Sequence, residues 1–334
     1  MSDAGAVPAI LSKLAASPGL RTLGNRLVTT VLVLVGAVAL LFALTLFIPG
    51  NPAQVLLGPR ATPEAVQAFT QAMGLDRPVA ERFLRFLWNV LRGDLGTDVV
   101  SGRPIMALVA DVLPYTVTLT LSGIGLAILF GVPLGCYAAT HPGSAVDQAA
   151  AVVSIGFIAL PNFVVAILLL LVFSIWLDWF PVLGVSRSGT VGDQLLRLVL
   201  PALSLALNWI GYIARLLRAS LLEVLGEAHV RTLRAYGVPE RVIVYKYALK
   251  PAAIPTVAIL GLGVGRLLGG AIFAEIVFAR PGIGTLVYDA ISTRNYPVVQ
   301  ACVLVVVALF TLTNLLVDLT YVWLDPRIRK AGAA

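Results

Sequence analysis

Apolar and polar positions alternate along this chain in blocks rather than residue by residue. A helix needs about twenty residues to cross a hydrocarbon core roughly 30 Å thick. Apolar runs of that length lie at about Leu27 to Ile48, Val112 to Ala139, Ala149 to Trp176, Leu195 to Leu217, Ala252 to Phe278 and Val298 to Trp323. The pattern predicts an all-α polytopic membrane protein with six transmembrane helices. Two polar stretches stand out by their length. The first, Gly50 to Pro104, carries about as many acids as bases and reads as two short amphipathic helices, around Pro63 to Met73 and Pro78 to Leu91. Thr62-Pro63 forms an N-cap and first-turn pair, and Gly74 and Gly93 are stops.

The second polar stretch, Glu223 to Lys250, lies between the fourth and fifth apolar runs. Leu222, Leu225, His229, Leu233 and Tyr236 recur at helical spacing and predict a mostly apolar face, with Glu223, Glu227, Arg231 and Arg234 on the rest. Gly237 stands where a left-handed C-cap is wanted, and Val238 can supply its hydrophobic contact. Pro239 forbids continuation and, with Glu240, opens a second helix. The expected product is a helix-Gly-helix elbow at 220–250. A short helix so displayed can dock in a partner's groove, and a basic interfacial loop can equally rest on anionic lipid.

Composition and charge then set class and orientation. Hydrophobic residues make up 59% of the chain and charged ones 12%, against about 25% charged in soluble domains; the mean hydropathy is +0.93. The net charge of +7 needs no nucleic acid, because basic residues retained on the inner side of a membrane explain it. Lys13, Arg21 and Arg26 precede the first run, which exceeds the 7–15 residues of a signal-peptide apolar region. It is expected to be a retained span entering from inside. Six spans then put the elbow, with Arg215, Arg218, Arg231, Arg234, Arg241, Lys246 and Lys250, and the tail Asp325 to Lys330 on the cytoplasmic side. The expected organisation is a cytoplasmic segment 1–26, a first span 27–48, an external cap 49–111, a five-helix core 112–323 carrying the elbow, and a cytoplasmic tail 324–334. Cys136 and Cys302 lie in apolar runs and read as small core residues.

Within the spans, Pro133 and Pro161 should kink their helices and Pro201 falls in the first turns of the fourth. Gly261, Gly265 and Gly269, at spacing four, predict a small-residue face for close helix contact. Polar groups inside a membrane are functional candidates by default; here they are Asn208, Arg266, Glu275, Asn314 and Asp318. Arg266 and Glu275 stand about 180° apart around one helix and cannot pair with each other. Arg266 reads either as a structural ion pair, with Asp318 or a second subunit, or as a pathway-lining residue. Asp318 reads mainly as structural.

The stretch Glu227-Ala-His-Val-Arg-Thr-Leu-Arg-Ala-Tyr-Gly237 resembles the coupling motif, often called the EAA loop, of inner-membrane permeases of ABC importers. More narrowly, the chain is similar to the B-type permease of dipeptide, oligopeptide and nickel uptake systems. The resemblance extends over Ile48-Pro-Gly-Asn-Pro52, Arg92-Gly-Asp-Leu-Gly96, Ser101-Gly-Arg-Pro104, Leu200-Pro-Ala-Leu203, Ile213-Ala-Arg-Leu-Leu-Arg218, Glu275-Ile-Val-Phe-Ala-Arg-Pro-Gly-Ile-Gly284, Asn295-Tyr-Pro-Val-Val-Gln300 and Asp325-Pro-Arg-Ile-Arg329. His229 departs from the motif's second alanine, and Leu233 and Tyr236 from alanine and lysine, which points to a docking surface fitted to its own partner.

The resemblance implies a type I ABC importer permease fold in a bacterial inner membrane, with cytoplasmic termini. Implied partners are a second homologous permease in a heterodimer, two cytoplasmic ATPases and an external substrate-binding protein. Glu227, Ala228, His229, Arg231, Arg234, Ala235 and Gly237 would contact the ATPase. No cofactor is expected in this chain, ATP and Mg belonging to the ATPases, and no catalytic residues; no phosphate-cradling Gly-x-x-x-x-Gly-Lys-Ser/Thr loop occurs in the sequence. Relatives carry dipeptides, longer peptides, nickel complexes, glutathione or opines. An ion-coupled secondary transporter is the alternative, and it should show internal repeats with broken helices. A membrane enzyme would need an acid/base or metal constellation, and His141 and His229 do not suggest one.

Overall fold

The computed structural model describes residues 18–46, 62–72, 76–98, 100–182, 184 and 189–324. Among these residues twelve helical segments follow one another: α1 Pro18–Leu46, α2 Pro63–Ala72, α3 Val79–Leu91, α4 Ile105–Thr140, α5 Ala145–Ala159, α6 Asn162–Leu169, α7 Val191–Leu225, α8 Ala228–Ala235, α9 Glu240–Val242, α10 Leu249–Val277, α11 Ile283–Ser292 and α12 Tyr296–Leu324. π-helical turns at Leu170–Trp176 and Ile243–Ala248 extend α6 and join α9 to α10. Among the described residues no strand forms; Thr97 and Pro104 make an isolated antiparallel bridge. Among the described residues four helices are long and apolar enough to cross a membrane, and the bent pair α5–α6 makes a fifth where it is counted as one span. With α1, whose Val28–Leu44 is apolar, each of the six expected runs is helical.

The third run departs most from expectation. In place of a kinked helix, α5 and α6 meet at 107°. The cause is local: the ring of Pro161 drives the preceding residue out of the helical region, and Leu160 adopts φ −85°, ψ 130°. By contrast α4 runs unbroken through Pro133, and α7 through Pro201. The two short helices of the first polar stretch form where the caps indicate. Thr62 Oγ1 accepts the Ala65 amide at 3.3 Å, and Gly93 follows α3 at φ +76°; Gly74, the other expected stop, lies outside the described residues.

The described residues divide into two compact units, one from 18–22, 115–281 and 313–324, the other from 23–114 and 282–312. The first unit is organised by close helix approach. Gly123, Ala127, Gly131 and Gly135 form a small-residue stripe on α4 that meets Leu205, Ile213 and Ala214 of α7; a Cβ on Gly135 would fall 2.8 Å from the Ala214 carbonyl oxygen. The stripe expected on α10 behaves differently. Gly261 meets Val317, but Gly269 has nothing within 4 Å of a would-be Cβ. The face of α10 that packs against α7 instead carries Gly263, Leu267, Ala271 and Ala274. Trp209 lies so close to Gly263 that a Cβ there would stand 1.8 Å from the ring, so only glycine fits. Arg218, counted from sequence only as an inner-side charge, makes a fork with Asp147, Nε to Oδ1 at 2.6 Å and Nη2 to Oδ2 at 2.8 Å, tying α7 to α5. Cys136 and Cys302 are buried thiols.

In the second unit, Phe83, Phe86, Leu87 and Val90 of α3 pack against Val38, Leu41 and Leu304, and Phe42 lies 5.4 Å and 6.0 Å from the Phe83 and Phe86 rings. A polar latch closes this unit. Asp98, 7% exposed, accepts the Val100 and Ser101 amides at 3.0 Å each, the Ser101 hydroxyl and the Asn295 side-chain amide. Two segments noticed separately in the sequence, Ser101-Gly-Arg-Pro104 and Asn295-Tyr-Pro, thus meet on one carboxylate.

Candidate functional site

The site is built from the end of α7. The helix stops at Gly226, and Glu227 adopts an extended conformation, φ −71°, ψ 157°, to start α8 afresh. At the other end the Gly237 amide donates to the Arg234 carbonyl at 2.9 Å and the Val238 amide to the Leu233 carbonyl at 3.1 Å. With Gly237 at φ +76°, this is the paired-bond left-handed cap that satisfies a helix's last carbonyls. Leu233 and Val238 pack against the same buried cluster, supplying the cap's hydrophobic contact. The Pro239 carbonyl then accepts the Val242 and Ile243 amides at 2.8 Å and 3.1 Å, and α9 runs through the π turn into α10.

The expected apolar face of the elbow is kept at Leu222, Leu225 and Leu233, which pack on the buried cluster, and lost at His229 and Tyr236. Tyr236 is 82% exposed and His229 points outward, its Nδ1 3.0 Å from Glu227. The residue that seats α8 is Val230, 0% exposed, among Cys136, Leu221, Val224, Ile243 and Val244. The break at Gly226 gives the reason: a face projected from Leu222 to Tyr236 assumes one continuous helix, and restarting at Glu227 turns His229 and Tyr236 outward and brings Val230 inward, while Leu233 stays on the cluster. Gly226 was the signal in the sequence that marked the break.

The seven residues expected at the ATPase contact, Glu227, Ala228, His229, Arg231, Arg234, Ala235 and Gly237, are all exposed. Arg234 has an internal duty as well. Its guanidinium holds Glu240 through Nη2–Oε1 at 2.6 Å and Nε–Oε2 at 3.1 Å, and reaches the Leu225 carbonyl at 3.5 Å. One side chain thereby spans the end of α7, α8 and the start of α9. The Glu240 hydrogen bonds raise the Arg234 pKa above its ordinary value, so the brace is a charged one.

The tentative pathway residues separate. Glu275 is 0% exposed; the Thr116 hydroxyl donates to it at 2.6 Å, and its own carbonyl accepts the Arg280 amide at 2.8 Å. It is buried in the core of its unit, because α10 turns this face inward. Thr116, 159 residues away, could not be read as its partner. Arg266, on the opposite face as the spacing requires, is exposed, and Asn208 on α7 is half-buried. The side chain of Asp318 lies outside the described residues. Among the described residues no group of three or more His, Cys, Asp and Glu could hold a metal ion.

The chain resembles known proteins along most of its length. Residues 131–330 match the family described as binding-protein-dependent transport system inner membrane component, and residues 19–120 match the N-terminal part of such membrane components. A probable peptide ABC transporter permease of Sinorhizobium fredii is 38% identical over 91% of this chain and 98% of its own. A dipeptide transport system permease of Alkalihalophilus pseudofirmus is 35% identical over 91% and 98%, and a glutathione transport system permease of Pectobacterium atrosepticum 37% over 91% and 97%. In structure, a chain of the inward-facing MetNI methionine ABC transporter superposes with a TM-score of 0.54 at 20% identity, over 66% of this chain and 98% of that one, which shows a shared fold. An elbow set between two apolar spans, a permease fold and two adjoining family matches converge: this chain belongs to the family of binding-protein-dependent transport system inner membrane components, the permeases of ABC importers.

Proposed function

We propose that this chain is one of two permease subunits of an ATP-driven importer of peptides or peptide-like small solutes, and that α8 receives the stroke of a separate cytoplasmic ATPase. The exposed face of α8 carries the reading. A helix of eight residues is too short to be stable alone, yet here it is capped at its C-terminus by Gly237, seated by Val230 and braced by Arg234 while its outer face is exposed. Such a helix suits a groove on a partner. Because α8 is continuous on one side with α7 and on the other, through α9 and the π turn, with α10, a displacement of α8 moves both helices as bodies. The peptide, dipeptide and glutathione permeases among the relatives support the solute class. An external binding protein and a second, homologous permease complete the proposed assembly.

The test is co-purification and uptake. Ala235→Arg places a bulky charge on the exposed face, and Gly237→Pro removes both the amide and the left-handed φ of the cap. ATPase subunits are expected to co-purify with the wild-type chain and with neither variant. Retention of the ATPase by both variants, or solute uptake that proceeds without any ATPase, would sink the proposal.

A further inference from the structure

We propose that Arg266 recognises the carboxylate of the transported solute within the membrane; this rests on the permease reading above. α10 has two faces. One packs into its unit through Gly263, Leu267, Ala271 and Ala274. The other carries Arg266, Gly269, Phe273 and Ile276, three or four residues apart and all exposed. Among the described residues Arg266 makes no hydrogen bond or ion pair. At 1.5 Å per residue it lies about 21 Å beyond Ala252 and about 18 Å short of Phe278, the ends of the fifth apolar run. Both distances exceed the reach of a side chain that would snorkel to water along the lipid. A guanidinium at such depth is expensive against acyl chains, and such residues face a bundle interior or a water-filled path.

The surroundings at that level favour a path. Trp209 of α7 packs on Gly263, one turn before Arg266. Its neighbour Asn208 therefore stands at nearly the depth of Arg266, and the Trp209 ring meets Tyr212 edge-on at 5.8 Å. One turn beyond Arg266, Gly269 leaves open space. The level thus combines a guanidinium and an amide, with room beside Gly269 on the face that carries Arg266. Arginine carries five N–H donors and no acceptor, so its ligand is an anion, and its planar fork matches a carboxylate through two parallel bonds. A peptide-like solute carries such a group at its C-terminus.

The complete transporter in nanodiscs, without binding protein, is exposed to a photoactivatable benzoylphenylalanine dipeptide as the free acid or the C-terminal amide. Labelling is mapped by mass spectrometry on wild type, Arg266→Gln and Arg266→Lys. The acid should label α7 and α10 of the wild type about tenfold more than the amide, the size of one charge-assisted hydrogen bond. Arg266→Gln should abolish the difference and Arg266→Lys should keep part of it. Equal or absent labelling by the two probes in the wild type, or an undiminished difference in Arg266→Gln, overturns the proposal. So does loss of the second permease from both variants, which would assign the charge to an ion pair between subunits. Uptake of the free acid by wild-type proteoliposomes supplied with binding protein is read separately: absence of ATP dependence would defeat the permease reading itself, whatever the labelling ratio.

Discussion

The Asp98 latch and the α8 elbow are both joints outside the apolar spans, each tied by a carboxylate, and they are made in opposite ways. Asp98 is enclosed, and its oxygens are engaged by donors from Val100, Ser101 and Asn295. The Arg234–Glu240 pair is 44% and 52% exposed at its side chains, and α8 buries only Val230 completely. An enclosed carboxylate costs much to disturb, because its donors lose both partner and water. An exposed ion pair contributes little, since water replaces it. The latch is therefore a fixed joint. The elbow is a preshaped piece lightly seated, which a partner can carry with it.

The largest expected effect tests the seat. Val230→Asp puts a charge into the cluster under α8 and should cost about 3 kcal/mol or more, with loss of ATP-dependent uptake and rapid limited proteolysis between α7 and α10. Wild-type proteolysis in that variant would break the claim that one side chain holds the elbow down. Next, Asp98→Ala should lower the stability of the purified protein by about 2–3 kcal/mol, read by thermal unfolding in detergent. Its pH dependence sharpens the point. Burial raises the Asp98 pKa, but the hydrogen bonds from Ser101, Val100 and Asn295 outweigh it and hold the carboxyl below its ordinary value. The latch is fully stabilising above the unfolded value of about 4, and loses that contribution as pH falls through the lower folded value. Asp98→Asn should lack this acid component.

Gly237→Ala should cost about 1–2 kcal/mol, because φ +76° disfavours a Cβ, and slow uptake without dissociating the complex. The smallest effect belongs to Arg234→Gln, under about 1 kcal/mol. A loss there as large as that of Asp98→Ala would erase the contrast between the joints.

Local signals in the sequence held up well. The apolar runs, the Thr62 cap, the Gly237 cap and the restart at Pro239 depend on residues within a turn or two, and each appears in the structure. Errors arose where one local signal interrupted another. Gly226 divided the helix assumed for the elbow face, exposing His229 and Tyr236 and burying Val230, and Pro161 broke a helix that was expected only to kink. The α4 stripe of Gly123, Ala127, Gly131 and Gly135 was as legible as the α10 glycines, but spacing alone does not say which stripe meets a neighbour. Partnerships across the chain, Thr116 with Glu275 and Asp147 with Arg218, left no mark in the sequence because nothing local requires them.

The latch also dates the molecule's assembly. Asp98 and Asn295 are 197 residues apart, and Tyr115–Pro281, the bulk of the other unit, lies between them in the chain. At about 5–20 residues per second, the second half of the latch leaves the ribosome roughly 10–40 s after the first. The latch therefore cannot close until the bulk of the other unit has been made, and Asn295 reports that every membrane helix but α12 has left the ribosome.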